Sequence, residues 1–120
     1  MAKKILVIDD EPDVLKVLLY RLRAKGYEVF TAINGQEGIV AAEKQKPDLV
    51  ILDFRLPDMT AREVNLQLQK NAEPQKIPVL LITASVENIS DKARDSGAGD
   101  YLAKPIDSEE LYAKVAKNLG

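Results

Sequence analysis

Short apolar runs recur along the chain, and longer segments with helical spacing separate them. Three of these runs are apolar at every position, which is typical of strands that are covered on both faces of a sheet. The pattern predicts five strands, at Ile5–Ile8, Tyr27–Phe30, Leu49–Leu52, Val79–Ile82 and Tyr101–Ala103.

The first and last predicted helices have clear boundaries. Apolar residues three and four positions apart indicate a helix over Asp13–Lys25, with Pro12 in its first turn and Gly26 after its end. A second pattern of this kind begins at Asp107 or Ser108. Its buried face is expected to consist of Leu111, Val115 and Leu119.

The two helices that flank the third strand are predicted from their caps. Asn34 and Glu37 form a cap pair, and the helix that follows runs towards Lys46 and ends before a proline. After the third strand the apolar residues alternate as they do in a strand, at Val64, Leu66 and Leu68. A capping box of Thr60 with Glu63, and the crossover that parallel strands need, favour a helix there instead.

The fourth helix has the weakest pattern. The segment Val86–Ser96 offers only Val86, Ile89 and Ala93 as an apolar face, so we expect this helix to be the most loosely held. Repeated strand–helix alternation predicts an α/β fold, a doubly wound five-stranded parallel sheet with five helices. The strand order 2-1-3-4-5 is taken over from known flavodoxin-like sheets. We interpret residues 1–120 as one domain.

Composition narrows the chemistry. The chain has no cysteine and no histidine, which excludes disulfides, thiolate nucleophiles and imidazole-based acid–base or zinc chemistry. A net charge of −2 lacks the basic excess of nucleic-acid-binding domains, so we expect no direct contact with nucleic acid. The apolar runs are too short for a signal peptide or a membrane span, so we expect a cytoplasmic protein without membrane contact.

Polar residues with complementary chemistry follow four of the predicted strands. In open parallel sheets the ligand crevice lies beyond the carboxyl ends of the strands. Here those ends carry Asp9-Asp10-Glu11, Asp53, Thr83-Ala84 and Lys104-Pro105. Taken singly, each group is usually a cap or a loop residue. Together they predict converging carboxylates neutralised by a hard cation such as Mg²⁺, with an ammonium and a hydroxyl opposite, which is a phosphoryl site.

In this order the residues resemble the receiver domain of two-component response regulators, over essentially the whole chain. The matching segments are Ile5–Glu11, Leu49–Met59, Thr83-Ala84 and Gly97–Pro105. The resemblance implies that Asp53 accepts a phosphoryl group as an acyl phosphate. It also implies Mg²⁺ as the cofactor, held by Asp10, Asp53 and the backbone carbonyl of Arg55, with Asp9 bound through water.

The same resemblance implies a conformational switch. Lys104 would contact the phosphoryl oxygens, Thr83 would move to hydrogen-bond them, and Tyr101 would turn inward. The signal would leave through the face of the fourth helix, fifth strand and fifth helix, which includes Ile89, Lys92 and Tyr112. The Lys104–Pro105 peptide bond is expected to be cis.

Two departures from the family pattern bear on the site. The chain has Met59-Thr60-Ala61 where the family often has Met-Asp-Gly, and we expect little strain because Ala61 becomes the first helical residue. Arg55 replaces a residue that is commonly uncharged. With Ala84 and Ser85 it is expected to border the path of the attacking water and to modulate the lifetime of the acyl phosphate. The Arg55 side chain could also pair with Glu87 or be solvated.

The missing histidine determines the partners. The phosphoryl group must come from a sensor histidine kinase, a histidine phosphotransfer protein or a small acyl phosphate. The signal would pass to a downstream output protein or a fused output domain. We expect no enzymatic activity beyond the Mg²⁺-dependent phosphorylation and dephosphorylation of the chain itself.

Three alternative functions can be compared with this prediction. A flavodoxin would share the fold, but the acidic loop after the first strand would repel a flavin phosphate. A haloacid-dehalogenase-type phosphatase would need an Asp-x-Asp-x-Thr pattern, which Asp9–Asp13 does not supply. The strongest alternative is a phosphorylation-independent binding module on the receiver fold, which usually lacks the acceptor or the lysine.

Overall fold

A computed structural model describes residues 2–120 of the chain. Strands and helices alternate as β1 (Lys4–Ile8), α1 (Pro12–Ala24), β2 (Glu28–Ala32), α2 (Gly35–Gln45), β3 (Leu49–Asp53), α3 (Ala61–Ala72), β4 (Val79–Thr83), α4 (Ile89–Ser96), β5 (Asp100–Ala103) and α5 (Ser108–Leu119). All neighbouring strands are parallel, in the order β2-β1-β3-β4-β5. The predicted fold class and strand order are therefore confirmed.

The sheet separates two apolar layers. Helices α1 and α5 cover one face, for example through Leu18 and Leu111. Helices α2, α3 and α4 cover the other face, for example through Ile39 and Val64. Successive residues of β1 and β3 point alternately into the two layers, which is why both strands are apolar at every covered position.

The second strand begins and ends later in the chain than predicted. Instead of Tyr27–Phe30 it covers Glu28–Ala32. The backbone N–H of Tyr27 donates to the carbonyl of Leu22, so Tyr27 still closes the end of α1. The strand continues beyond Phe30 because Thr31 and Ala32 pair with β1.

The fourth helix is shorter than predicted. It starts at Ile89 and not at Val86, because Asn88 has a left-handed backbone (φ 51°) that ends a turn before the helix. Val86 is 56% exposed, so it does not belong to the buried face. The buried residues of α4 are Ala93 and Ser96.

The capping signals were correct. The Thr60 hydroxyl accepts from the N–H of Glu63, whose carboxylate accepts from the N–H of Thr60, so the predicted capping box starts α3. Asn34 accepts from the N–H of Glu37 at the start of α2, and Asp107 caps α5. The misleading alternation in α3 arises from Leu66, which is 59% exposed. No helix within residues 2–120 is long and apolar enough to cross a bilayer.

Candidate functional site

The register of the sheet places three aspartates side by side. Ile8 of β1 pairs with Leu52 of β3, so the residues that follow, Asp9 and Asp53, adjoin at the carboxyl edge. Asp9, Asp10 and Asp53 each offer one carboxylate oxygen, and these oxygens all lie within 4.8 Å of one another. Asp9 and Asp53 are buried, whereas Asp10 is exposed. The predicted convergence of carboxylates is therefore present.

Lys104 supplies a positive charge in direct contact with these acids. It follows Ala103, which pairs with Thr83 at the end of β4. Its Nζ lies 2.9 Å from Asp9 Oδ2, 2.6 Å from Glu11 Oε1 and 3.4 Å from Asp53 Oδ2. Burial lowers the pKa of Lys104, but the ion pairs with Glu11, Asp9 and Asp53 outweigh it and raise that pKa. The ammonium is therefore charged at neutral pH.

The ion pair between Lys104 and Glu11 was not predicted from the sequence. The sequence placed Glu11 beside the two aspartates but gave no sign of which carboxylate the lysine would approach. Glu11 is more than half exposed, whereas only 10% of the Lys104 side chain is exposed. The ion pair thus joins a surface acid to a nearly buried base.

Asp53 lies in a site that disfavours its charged form. Burial and the neighbouring charge of Asp9 raise its pKa from 3.8 to about 6, although Lys104 and a hydrogen bond from the Arg55 N–H lower it. That hydrogen bond reaches Asp53 Oδ1 over 3.3 Å. Without a metal ion, the Asp53 carboxyl therefore ionises near pH 6, well above the usual range of an aspartate.

The buried carboxylate of Asp9 is only partly satisfied. Its Oδ1 accepts from the N–H of Glu11 at 2.8 Å. Its Oδ2 has no hydrogen bond of good geometry within the described residues and is balanced only by the charge of Lys104. The three carboxylates of Asp9, Glu11 and Asp53 thus surround one ammonium, and their donor atoms are oxygens. This donor set and its excess negative charge fit Mg²⁺.

Thr83 and Ser85 connect the cleft to α4. Thr83 is 1% exposed, and its hydroxyl accepts from the N–H of Ser85 at 3.0 Å. Lys92, on α4, donates from Nζ to Ser85 Oγ (2.6 Å) and to the Ser85 carbonyl (3.0 Å). The same ammonium lies 5.5 Å from the ring centre of Phe54. The family resemblance placed Lys92 on the expected signalling face, but nothing in the sequence indicated that it contacts the cleft.

Arg55 lines the same cleft, together with Ala84 and Ser85. Its side chain is exposed and makes no ion pair within residues 2–120, so the alternative of pairing with Glu87 is not observed. Its backbone forms an isolated antiparallel bridge with Thr60. The main chain of Arg55, rather than its side chain, is the part that the fold holds in place.

Tyr101 lies on β5 and is half-buried. The Nζ of Lys114 lies 4.7 Å from its ring centre and also donates to its carbonyl. Lys114 further contacts Asp100, whose carboxylate accepts from Asn118. The Lys104–Pro105 bond is cis, as predicted; the Glu73–Pro74 bond is also cis and was not predicted.

Comparison with known proteins places this geometry in a family. The sequence model described as the response regulator receiver domain matches residues 5–116. The chain is 42% identical to the alkaline phosphatase synthesis transcriptional regulatory protein PhoP of Bacillus subtilis over 117 residues. This matched region covers 96% of the chain and 48% of PhoP. The chain thus spans about half the length of this curated relative.

Two solved structures with this fold contain bound magnesium. The response regulator TrrA of Thermotoga maritima, in complex with Mg²⁺ and BeF, is 35% identical with a TM-score of 0.83, over 97% of this chain and 98% of that one. The second is the receiver domain of a sensor histidine kinase of Pseudomonas aeruginosa, with a magnesium ion in its active-site cleft. It is 26% identical with a TM-score of 0.89, over 100% of this chain and 99% of that one.

Proposed function

The chain belongs to the response-regulator receiver family, and we propose that it is a phosphorylation-controlled switch whose phosphoryl acceptor is Asp53. The observation that carries the proposal is the geometry around Asp53. Its carboxylate is grouped with those of Asp9 and Asp10 within 4.8 Å, and the Lys104 ammonium lies against it. An acceptor oxygen, a cation site and a fixed positive charge are the parts that phosphoryl transfer needs.

The transfer itself requires little covalent chemistry from the chain. A nitrogen–phosphorus bond of a partner's phosphohistidine breaks and a bond from an Asp53 carboxylate oxygen to phosphorus forms. The electron pair of the broken bond stays on the imidazole nitrogen. Lys104 holds its charge beside the oxygens that receive the phosphoryl group. The donor is a sensor histidine kinase or a histidine phosphotransfer protein, because the chain has no histidine.

Mg²⁺ would be held by Asp10, Asp53 and the backbone carbonyl of Arg55, with Asp9 acting through water. Bound there, it would neutralise charge on the transferring phosphoryl group. The partly satisfied carboxylate of Asp9 supports this assignment, because a buried anion without enough hydrogen bonds favours a nearby cation. Arg55, Ala84 and Ser85 border the same cleft and would modulate hydrolysis of the acyl phosphate.

The switch would run from Thr83 to the face formed by α4, β5 and α5. When the Thr83 hydroxyl turns to the phosphoryl group, it gives up the hydrogen bond from the Ser85 N–H. Ser85 accepts hydrogen bonds from Lys92 on α4, so a movement of Ser85 would directly alter a contact of this helix. Phosphorylation then enriches the state in which Thr83 and Tyr101 have turned inward.

The remaining assignments are proposals of the same kind. The output is a separate protein or a fused domain; the curated relative, a transcriptional regulator, is about twice as long as this chain. The chain catalyses only its own Mg²⁺-dependent phosphorylation and dephosphorylation, and it acts in the cytoplasm. A phosphorylation-independent binding module is the alternative. The intact contact between Lys104 and Asp53 argues against it.

Intact-mass measurement with acetyl phosphate tests the proposal. With Mg²⁺ the parent should gain the mass of one phosphoryl group, and with EDTA it should not. Asp53→Asn should abolish the gain, while Asp48→Asn, at the opposite edge of the sheet, should leave it unchanged. Labelling of Asp53→Asn as efficient as that of the parent would contradict the acceptor assignment. An unlabelled parent would favour the binding module.

A further inference from the structure

The loop between β3 and α3 is anchored at its far end. Residues 54–60 connect the acceptor strand to the capping box of α3. Thr60, the cap residue, also forms the isolated bridge with Arg55, so the loop closes on itself. The loop is therefore tied to the start of α3.

Asp58 makes a further contact, with α2. Its Oδ1 accepts from the N–H of Gly35 at 2.8 Å, and its Oδ2 accepts from the N–H of Gln36 at 2.9 Å. N–H groups in the first turn have no partner within their own helix, and the helix dipole favours an anion there. Asn34 already caps Glu37, so Asp58 binds the two N–H groups that the cap leaves free. These bonds also lower the pKa of the Asp58 carboxyl.

The same junction is closely packed. A Cβ on Gly35 would lie 2.9 Å from the sulfur of Met59 and 2.9 Å from a methyl group of Val64. The loop thus touches α2 with no room for a side chain between them. Asp58 is itself exposed, so the fold does not need its carboxylate to fill the interior.

At its near end the loop reaches the acceptor. The N–H of Arg55 donates to Asp53 Oδ1 at 3.3 Å, and Arg55 lines the cleft. The main chain that contacts Asp53 is therefore only three residues from the carboxylate that is clamped to α2. A shift of the clamp would change the position of the Arg55 main chain.

We infer that Asp58 is a positioning residue for the metal and phosphoryl site, which fixes the Arg55 main chain by clamping the loop to the first turn of α2. The inference rests on the proposed function, in which the Arg55 carbonyl is a ligand of Mg²⁺. Outer-shell groups that orient ligands typically change metal affinity by about 10–100-fold when they are replaced. We expect the lower end of that range, because Arg55 is one ligand among several.

Titration with MgCl₂ at constant ionic strength, followed by amide chemical shifts or calorimetry, tests this inference. Asp58→Ala should weaken Mg²⁺ binding roughly tenfold. Asp58→Asn should lie between parent and Asp58→Ala, because its amide oxygen can still accept one N–H. The matched control is Asp48→Ala: Asp48 is also exposed and accepts a backbone N–H from another element, that of Lys4, at the opposite edge. Its Mg²⁺ affinity should stay within about twofold of the parent.

The outcomes separate a clamp from simpler roles. Equal affinities of Asp58→Asn and Asp58→Ala would mean that only the negative charge matters, and would overturn the inference. So would a parent-like affinity of Asp58→Ala. A loss of stability alone, shared with Asp48→Ala and without a change in affinity, would reduce Asp58 to a structural cap.

Gly35→Ala gives a second, independent perturbation. It keeps the carboxylate but forces α2 and Met59 apart, so it should also weaken Mg²⁺ binding, and an unchanged affinity would count against the clamp. This variant decides the question if Asp58→Ala does not fold. A parent that binds no Mg²⁺ overturns the proposed function and this inference together. A parent that binds it, with Asp58 variants that bind equally well, overturns the inference alone.

Discussion

Replacing the carboxyl group of Asp53 by an amide should stabilise the metal-free protein at neutral pH. In the folded chain the pKa of Asp53 is raised from 3.8 to about 6, mainly by burial and by the charge of Asp9. In the unfolded chain it has its ordinary value. Between these two pKa values the folded chain binds more protons than the unfolded chain, so the free energy of unfolding falls as the pH rises.

The size of the effect follows from the two pKa values. A change from 3.8 to about 6 corresponds to about 3 kcal/mol, since one pKa unit corresponds to about 1.4 kcal/mol. Asp53→Asn keeps the shape of the side chain and its acceptor for the Arg55 N–H, but it does not titrate. Relative to the parent, the variant should gain stability as the pH rises from about 4 to about 6, and the gain should then level off near 3 kcal/mol.

Urea unfolding followed by far-UV circular dichroism, in EDTA and over this pH range, measures the difference. The absence of histidine removes the residue type that would otherwise titrate near the upper end of the range. Saturating Mg²⁺ should stabilise the parent more than the variant, because Asp53 is a proposed ligand of the ion in the folded chain.

Asp100→Asn provides a control of opposite sign. Burial raises the pKa of Asp100, but hydrogen bonds from the Tyr101 N–H, Asn118 and Lys114 outweigh it and lower that pKa. Asp100 therefore contributes stability above its unfolded pKa, and its replacement should destabilise the protein at neutral pH. A stability difference between Asp53→Asn and the parent that stays constant from acid to neutral pH would refute the reasoning. So would a variant less stable than the parent at neutral pH.

Further predictions concern the metal, the switch and the lifetime of the phosphorylated state. Asp10→Asn should weaken Mg²⁺ binding in calorimetry and stabilise the metal-free fold by less than about 1 kcal/mol, because Asp10 is exposed; a destabilised variant with unchanged affinity would contradict this. Thr83→Ala should still be labelled by acetyl phosphate but show smaller amide shifts in α4, β5 and α5. Lys92→Met should reduce the shifts in α4 alone, and full shifts would argue against the path through Ser85. Arg55→Met should shorten the acyl-phosphate half-life several-fold in a phosphate-release assay at saturating Mg²⁺; equal rates would leave Arg55 a solvated surface residue.

Much of the fold was predictable because local signals and buried strands agree. The continuous apolar runs of β1, β3 and β4 gave their positions directly, and the caps at Asn34 and Thr60 gave the starts of α2 and α3. The start of α4 was missed because Asn88 adopts a left-handed backbone, which costs little for asparagine and leaves no mark in the apolar pattern. The end of β2 was missed because its last residues are held by pairing with β1.

The residues that form the site could be predicted from the sequence, but the contacts between them could not. Residues at strand ends converge in any open parallel sheet, so the grouping of Asp9, Asp10, Asp53 and Lys104 could be expected. The partners of the long side chains could not, because a lysine can reach several neighbours from one backbone position. The Lys104–Glu11 and Lys92–Ser85 contacts belong to this class. The Asp58 clamp was not predictable for another reason: it joins Asp58 to Gly35 and Gln36, which lie 23 and 22 positions earlier in the chain.

The way α4 is held suits the proposed switch. It buries only Ala93 and Ser96, so little apolar burial opposes its displacement. Its main additional links are polar: Lys92 to Ser85, and the Ser96 carbonyl, which accepts from Asn65 of α3 at 2.9 Å. Exchanging one hydrogen bond for another costs far less than opening an apolar core. In the proposed switch, a phosphoryl group on Asp53 that draws Thr83 away from Ser85 would therefore shift α4 while the two apolar layers of the sheet stay closed.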